Sequence, residues 1–330
     1  MNWGIIGLGN MAKKFANSIQ ELENNNLLGV SSHSIFKLLK FRYKYNINLK
    51  YLFSDYQKIL DCKDIDNIYI GTLNNSHFDL IIACINAKKN VLCEKPFVLS
   101  INQAKEVKEK LKSSNIFFLE GIAYRSHPQT KHLIKLLKEN HVGKIIKIKS
   151  TFGFNADNPR KKGRLLNKKL GGGSIFDLGC YPVSMSNLIA NIYNEKEIVP
   201  TISEVTGKMH KSGVDLSGKA KLSYSNGIFS EIEVSIIENL VNSTEIFGSD
   251  GMIKILEPWL PAKDSVIEIH KNKNVKKLNT SSDLSIFASQ INLFNNSIGN
   301  KNIKDNYPAM SIDNSVNCFK TMIEWKESIL

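Results

Sequence analysis

From residue 2 to about 120 the chain alternates short apolar runs with amphipathic stretches, the pattern of strand–helix–strand units that feed a parallel sheet. The apolar runs predict strands at Trp3–Ile6, Leu28–Ser31, Ile65–Ile70, Val91–Glu94 and Ile116–Leu119. Between them, apolar residues at helical spacing predict helices at Met11–Leu22, Ile35–Tyr45, His77–Ala87 and Ile101–Lys112. Ser100, with Gln103 three positions on, reads as a capping box for the last of these. After about residue 123 the texture changes. A helix near His127–Asn140, a strand at Lys144–Phe154 and a helix near Asp177–Ala190 lead into a β-rich stretch. There the alternation predicts strands at Ile202–Met209, Leu216–Tyr224, Phe229–Ile237, Ser243–Phe247 and Val266–His270, with turn residues such as Ser225-Asn226-Gly227 and Gly248-Ser249-Asp250-Gly251 between some of them. Two helices, near Leu284–Ile298 and Ser311–Ser328, close the chain. The expected fold is thus α/β plus α+β. A doubly wound parallel sheet occupies 1–123, and a domain at 124–330 holds a large, mostly antiparallel open sheet covered by helices on one face. The helix near 311–328 is placed to pack back on the first domain.

A chain of 330 residues suits two domains, each large enough to bury its own core. Hydrophobic residues at 42% and charged ones at 23% match ordinary globular proteins, which argues against disorder. The first residues run straight into a strand with no basic leader or apolar signal core, and no later apolar run reaches membrane-spanning length. A cytoplasmic protein with no membrane partner is expected. Cys62, Cys84, Cys93, Cys180 and Cys318 are scattered, with no Cys-x-x-Cys spacing, so neither a disulfide framework nor a metal site is expected. The net charge of +13 raises the question of nucleic acid, but the cations are spread among many asparagines and isoleucines. The densest basic segment, Arg160, Lys161, Lys162, Arg164, Lys168 and Lys169, reads as a solvated loop in preference to a phosphate site, and no nucleic-acid partner is expected.

Gly7-Leu8-Gly9-Asn10-Met11-Ala12 follows a strand and opens a helix, the context that turns a glycine pattern into a dinucleotide-binding Rossmann turn. The first glycine permits the tight turn, the second lets backbone approach a pyrophosphate, and Ala12 keeps the helix close to the strand. A carboxylate at the end of the second strand would hold the ribose 2′-hydroxyl of NAD. Near Val30 the chain instead has Ser31, Ser32, His33 and Ser34, with Lys37 one turn on. Hydroxyls, an imidazole and a lysine suit a 2′-phosphate, so NADP is expected, with NAD the alternative. The same serines also suit helix capping.

The strand Val91-Leu92-Cys93-Glu94 ends in Lys95-Pro96, at the carboxyl edge of the predicted sheet where ligands bind in doubly wound folds. An ammonium there can stabilise negative charge developing on an oxygen at a reacting carbon. The Gly7–Ala12 turn, Thr72-Leu73-Asn74-Asn75-Ser76-His77, Cys93-Glu94-Lys95-Pro96-Phe97 and Gly171-Gly172-Gly173-Ser174-Ile175-Phe176-Asp177-Leu178-Gly179-Cys180-Tyr181-Pro182 occur in the order and spacing of the Gfo/Idh/MocA oxidoreductases, which the chain resembles. Within that family it looks like the branch of dihydrodiol dehydrogenases, NADP-dependent xylose dehydrogenases and glucose-fructose oxidoreductase. Glu120-Gly121, Tyr124-Arg125, His127-Pro128-Gln129 and Gly163-Arg164-Leu165 add to the match.

The resemblance implies a dehydrogenase or reductase acting on CH–OH groups of a sugar, nucleotide sugar or cyclic polyol. It implies Lys95 as the catalytic lysine, Tyr181 as proton donor or acceptor, and Asp177 as a substrate-binding or orienting residue one turn before it. A neighbouring Lys95 ammonium would favour the Tyr181 phenolate. Read without the family, Tyr181 also suits a core aromatic and Asp177 an N-cap. The cofactor contacts implied are Gly7, Leu8, Gly9, Asn10, Met11, Ser32, His33, Lys37, Thr72, Leu73, Asn74, His77, Glu94 and Lys95; Tyr124 and Arg164 join Asp177 and Tyr181 on the substrate side. Leu73 stands where proline is usual, and His33 where arginine is usual in NADP-binding members. The family also holds enzymes that use bound NAD for glycoside elimination or hydrolysis, and non-catalytic sensors of the same fold; these stand as alternatives. An open sheet in the second domain implies a homodimer or dimer of dimers, because a bare apolar face would need cover.

Overall fold

The computed structural model describes residues 1–156, 163–194, 197–298 and 307–329. Arg160, Lys161 and Lys162 of the expected basic loop lie outside them. The chain divides into two compact units, Met1–Gly121 with Leu284–Asp313 and Ile122–Asp283 with Asn314–Leu330.

In the first unit six parallel strands, β1 (Asn2–Ile6), β2 (Asn26–Ser31), β3 (Leu52–Phe53), β4 (Asn67–Ile70), β5 (Asn90–Cys93) and β6 (Phe118–Glu120), run in the order β3-β2-β1-β4-β5-β6. The order reverses beside β1, so the carboxyl ends of β1 and β4 flank the crevice where such sheets bind ligands. The connecting helices are α1 (Asn10–Ser18), α2 (Ile35–Tyr45), α3 (Tyr56–Asp61), α4 (His77–Asn86) and α5 (Ile101–Lys112). The expected capping box at α5 is half local. Ser100 Oγ accepts from the Gln103 amide at 3.3 Å, while Gln103 Oε1 reaches the Leu99 amide at 3.0 Å. The helix Ile286–Ser297 groups with this unit because Phe294 is fully buried between Trp3, 4.8 Å away, and Phe117, 4.9 Å away. Trp3 meets Phe15 of α1 at 5.2 Å, and Phe15 stacks on Tyr69 at 4.1 Å. This aromatic column fixes α1, and with it the Gly7–Ala12 turn, on the sheet.

In the second unit α6 (Pro128–Lys138) precedes an eight-stranded sheet, β7 (Ile145–Gly153), β8 (Thr201–Met209), β9 (Asp215–Ser223), β10 (Phe229–Ser235), β11 (Ser243–Gly248), β12 (Met252–Leu256), β13 (Val266–Lys271) and β14 (Asn274–Asn279). The order is β14-β13-β12-β11-β7-β10-β9-β8, antiparallel except for the β7–β10 pair. One face carries Ile148, Ala220, Leu222, Ile232, Ile246, Ile253 and Ile267, all buried. The helix α7 (Cys180–Ala190) is buried along nearly its whole length; Ser186 Oγ lies 2.7 Å from Ser230 Oγ of β10, and Tyr224 donates to Asn187 Oδ1 at 2.8 Å. The final helix α8, counted here as Ile312–Glu327, contributes Phe319, stacked 5.9 Å from Phe176, and Trp325, whose Nε1 donates to the Lys219 carbonyl of β9 at 3.3 Å.

The other face is not apolar, which corrects the premise of a bare hydrophobic surface. In register across seven strands lie Lys221, Glu231, Lys149, Glu245, Lys254, Glu268 and Lys277, alternating in sign. Glu245–Lys254 close at 2.8 Å and Glu268–Lys277 at 3.4 Å, with Lys219–Glu233 at 3.0 Å in a neighbouring row. Directly opposed unlike charges favour this register.

Candidate functional site

Strand β1 ends at Ile6, and Gly7 turns the chain with φ +88. A Cβ at Gly7 would stand 2.5 Å from Thr72 Cγ2 and 2.9 Å from the Gly71 carbonyl oxygen, so the close passage of the Gly7 and Gly71–Thr72 loops excludes any side chain. A Cβ at Gly9 would meet only the Gly71 oxygen at 3.7 Å, leaving the other side open. Gly9 is the N-cap of α1, with no side-chain cap and no acid in the first turn. The amides of Asn10, Met11 and Ala12 therefore keep their donors and the positive end of the helix for an anion. This bare, acid-free helix start fits a dinucleotide pyrophosphate, with Gly7, Leu8, Gly9, Asn10 and Met11 as its cradle.

The end of β2 carries no carboxylate. Ser31 Oγ donates to the Phe53 and Asp55 carbonyls at 3.0 and 3.1 Å, and so ties β2 to β3. Ser32 Oγ accepts from the Ser34 amide at 3.2 Å, and Ser34 caps α2 through the Lys37 amide at 3.4 Å. Both the capping role and an exposed His33 are therefore present. The His33 ring sits 4.3 Å from Tyr56, with Nδ1 3.2 Å from the Ser54 carbonyl. Tyr56 had no signal in the apolar pattern, because β3 is two residues long and α3 only six. Asp55, whose Oδ1 accepts from the Gln57 amide at 2.7 Å, was the readable helix-start signal.

At the carboxyl edge, His77 is fully buried and bridges two loops, with Nδ1 2.8 Å from the Pro96 carbonyl and Nε2 3.4 Å from that of Thr72. It links the Thr72-Leu73-Asn74 turn to Lys95-Pro96. Ser76 Oγ bonds Thr72 Oγ1 at 2.7 Å, while Asn74 is buried and Leu73 half exposed. Glu94 turns inward, accepting from the Tyr69 hydroxyl at 2.6 Å. Burial pushes its carboxyl up, opposed by that hydrogen bond and by the Lys95 charge. Glu94 thus ties β5 to the aromatic column under α1, while Lys95, half buried, is the next residue along.

In the second unit Gly172 packs against the Arg164–Leu165 backbone and Gly173 against the Asp215 carboxylate. A Cβ at Gly172 would stand 2.4 Å from the Leu165 oxygen, and one at Gly173, where φ is +112, 2.3 Å from Asp215 Oδ1. Asp215 is fully buried; its Oδ2 accepts from Ser174 Oγ at 2.7 Å and from the Ile175 amide at 2.6 Å. Lys326 of α8 places Nζ 3.3 Å from Oδ1, an ion pair without a directed hydrogen bond. From this anchor a π-helical turn, Ile175–Gly179, carries Asp177, and α7 follows with Tyr181 in its first turn. The predicted helix thus begins two residues early and in a wider coil, a feature often found at functional sites.

Arg164 donates to Asp177 Oδ1 at 2.9 Å. Tyr181, half buried, has Phe152 edge-on at 5.1 Å, Trp259 at 5.9 Å and Tyr124 at 6.3 Å. Trp259 Nε1 donates to the Thr151 carbonyl at 2.9 Å, which fixes its ring. Tyr124 is fully buried with its hydroxyl 2.8 Å from Ser184 Oγ, and burial drives its phenol above the ordinary range, so it stays neutral. His127 is also neutral, lowered to about 4 by burial, and its Nδ1 accepts from the Gln129 amide at 3.1 Å. Phe152, Trp259, Asp215 and Lys326 escape the sequence reading because they come from distant segments with no motif around them. Among the described residues no cluster of His, Cys, Asp and Glu is arranged to hold a metal.

Comparison with known proteins agrees with both units. Residues 1–121 match the model described as "Oxidoreductase family, NAD-binding Rossmann fold", and residues 130–254 match the GFO/IDH/MocA C-terminal domain. The chain is 28% identical over 262 residues to trans-1,2-dihydrobenzene-1,2-diol dehydrogenase of Xenopus tropicalis, covering 78% of this chain and 76% of that one. The Mus musculus enzyme of that name is 26% identical over 265 residues, covering 80% and 77%. In fold it matches a 3-ketoreductase from Actinomadura kijaniata, solved with NADP and TDP-benzene, at TM-score 0.86 and 18% identity over 98% of this chain and 96% of that one. The aldose-aldose oxidoreductase from Caulobacter crescentus matches at TM-score 0.86 and 19% identity over 100% and 97%. With the glycine turn, the Glu94-Lys95-Pro96 edge and the Asp177–Tyr181 segment in place, the chain belongs to the Gfo/Idh/MocA family of oxidoreductases, as an NAD(P)-binding dehydrogenase acting on CH–OH groups.

Proposed function

We propose that the enzyme transfers hydride reversibly between NADP and a hydroxyl-bearing or keto carbon of a sugar, nucleotide sugar or cyclic polyol. Lys95 and Tyr181 act as the catalytic pair. The nicotinamide, when bound, supplies the hydride chemistry. Lys95 donates to the oxygen on the reacting carbon and stabilises charge as it develops. Tyr181 takes or returns the hydroxyl proton. Asp177, held by Arg164, accepts a hydrogen bond from a neighbouring substrate hydroxyl.

The observation that carries this reading is the setting of Tyr181. It is a half-buried phenol with aromatic faces from Phe152 and Trp259, four residues after a carboxylate that an arginine already orients. Aromatic faces beside a few directed polar groups suit the apolar C–H face and hydroxyl edge of a sugar ring. The neutral, hydrogen-bonded Tyr124 is unsuited to proton transfer, which leaves Tyr181 for that task. Screening sugars and nucleotide sugars for reduction of NADP and NAD tests the proposal. Net cofactor turnover supports it, and glycoside cleavage without net turnover refutes it.

NADP preference rests on the absence of a carboxylate at the end of β2 and the presence of His33 and Lys37. A charge-assisted contact to a phosphate adds about 1.5–3 kcal/mol. The double replacement His33→Ala with Lys37→Ala should therefore lower the NADP-to-NAD ratio of kcat/KM by about tenfold or more. An unchanged ratio refutes the assignment.

A homodimer or dimer of dimers forms through the open face of the eight-stranded sheet. That face alternates Lys and Glu, so a two-fold related copy can set unlike charges against each other. Such an interface is screened by salt. The mass measured by light scattering should fall as ionic strength rises from about 0.1 M to about 1 M, where the Debye length shrinks to about 3 Å. A salt-independent monomer contradicts the proposal.

A further inference from the structure

Helix α2 carries a surface that the cofactor site and the sheets leave unused. It buries Leu38 and Phe41, as an amphipathic helix should, yet its opposite side is apolar too. Ile35, Phe36, Leu39 and Tyr43 are 69, 74, 50 and 92% exposed. At about 100° per residue these four fall within a single arc of about 100°, with Lys40, Lys44 and Lys37 bordering it on one side and Arg42 on the other. Single exposed apolar residues are ordinary on any protein; a continuous stripe of large ones marks a contact surface. The charge around it has one sign. From Asn24 to Ser54 there is no Asp or Glu, while Lys37, Lys40, Arg42, Lys44 and Lys50 all fall within that span, and the whole chain carries +13.

The chemistry narrows the occupant. A second copy presenting the same helix would set cation against cation, which is costly. Nucleic acid would satisfy the lysines and leave the apolar stripe in water. A protein partner needs about 1,000 Å² of matched surface for a stable interface, and a ridge of 11 residues, about 16 Å long, offers less. An anionic bilayer needs no matching shape. It takes large apolar side chains into the boundary between headgroups and acyl chains, and its headgroups attract flanking cations. We infer that α2 docks this enzyme on an anionic lipid surface, with Phe36, Leu39 and Tyr43 entering the interface and Lys40 and Arg42 against the headgroups. This revises the expectation of no membrane partner. The attachment is peripheral, since no helix among the described residues is long and apolar enough to cross a membrane.

The test is co-sedimentation of the full chain with vesicles of phosphatidylcholine alone and of phosphatidylcholine with phosphatidylglycerol. Binding is expected to the anionic vesicles and not to the neutral ones. It should weaken about tenfold or more when salt rises from about 0.05 M to about 0.5 M. Leu39→Ser with Tyr43→Ser, and separately Lys40→Gln with Arg42→Gln, should each reduce partitioning by about tenfold. Neither pair belongs to the proposed cofactor site, so NADP binding followed by protein fluorescence should be unchanged and reports intact folding. Failure to bind anionic vesicles overturns the inference, as does binding that both variants retain. A fall in mass by light scattering for Leu39→Ser with Tyr43→Ser, without any change at vesicles, assigns the stripe to a second copy and equally overturns it. So does tight binding of an acidic polypeptide that both variants lose while vesicle binding persists.

Discussion

Replacing Lys95 by Ala, or Tyr181 by Phe, is expected to cut turnover by about 10²–10⁴-fold, while dinucleotide affinity stays within about twofold for Tyr181→Phe and falls by no more than about tenfold for Lys95→Ala, which loses one implied cofactor contact. The split follows from where each group sits. The proposed pyrophosphate cradle is the Gly7–Ala12 turn with the start of α1, and neither substitution falls in that segment. Lys95 stands at the end of β5, beyond the hydrogen bond that ties Glu94 to Tyr69, so removing its ammonium leaves that anchor in place. Tyr181→Phe keeps the ring among Phe152, Trp259 and Tyr124 and removes only the hydroxyl. If the two groups serve one proton-and-charge transfer, the double variant should be little slower than the worse single one, because a unit once broken cannot be broken twice. Rates near normal in both single variants, or losses that multiply in the double, would sink the pairing.

The Tyr181 neighbourhood also shows which parts of this molecule can be read without coordinates. Strands and helices of the first unit are legible wherever they are long and periodic, and α2 and α5 fall at the predicted residues. The pattern is silent on β3, two residues long, on α3, and on β12 and β14. β14 is almost wholly exposed and polar, so it has no apolar face to announce it. Placement of the helix Ile286–Ser297 was not legible either. Its amphipathic spacing says that it buries one face but not against what, and the answer depends on Phe294 meeting Trp3, nearly the whole chain away. The candidate site divides in the same way. Gly7, Lys95, Asp177 and Tyr181 sit in contiguous motifs whose chemistry is local. Trp259 and Asp215 acquire meaning only when β-strand pairing brings them to α7 and the glycine run.

Replacing Asp215 by Ala is expected to destabilise the second unit by about 3–5 kcal/mol, the cost of breaking a buried ion pair by removing one partner. The carboxylate is fully buried and serves three groups at once, the Ser174 hydroxyl, the Ile175 amide and the Lys326 ammonium. Without it, two donors at the head of the π-helical turn lose their acceptor, and among the described residues a largely buried lysine is left with the face of Phe176, 4.1 Å from Nζ. A fall in Tm of about 10 °C should follow in a thermal melt. Asp215→Asn keeps the volume and one acceptor oxygen, so it should lose less. Adding Lys326→Met to Asp215→Asn should recover part of that loss, because the uncompensated cation is gone. Gly173→Ala should reproduce the defect from the other side, since its Cβ would press on Asp215 Oδ1 in a backbone conformation that L side chains avoid. A Tm within about 2 °C of the parent for Asp215→Ala would mean that the anchor is dispensable. The wider first coil that carries Asp177 towards Tyr181 would then have to be held by the packing of α7 alone.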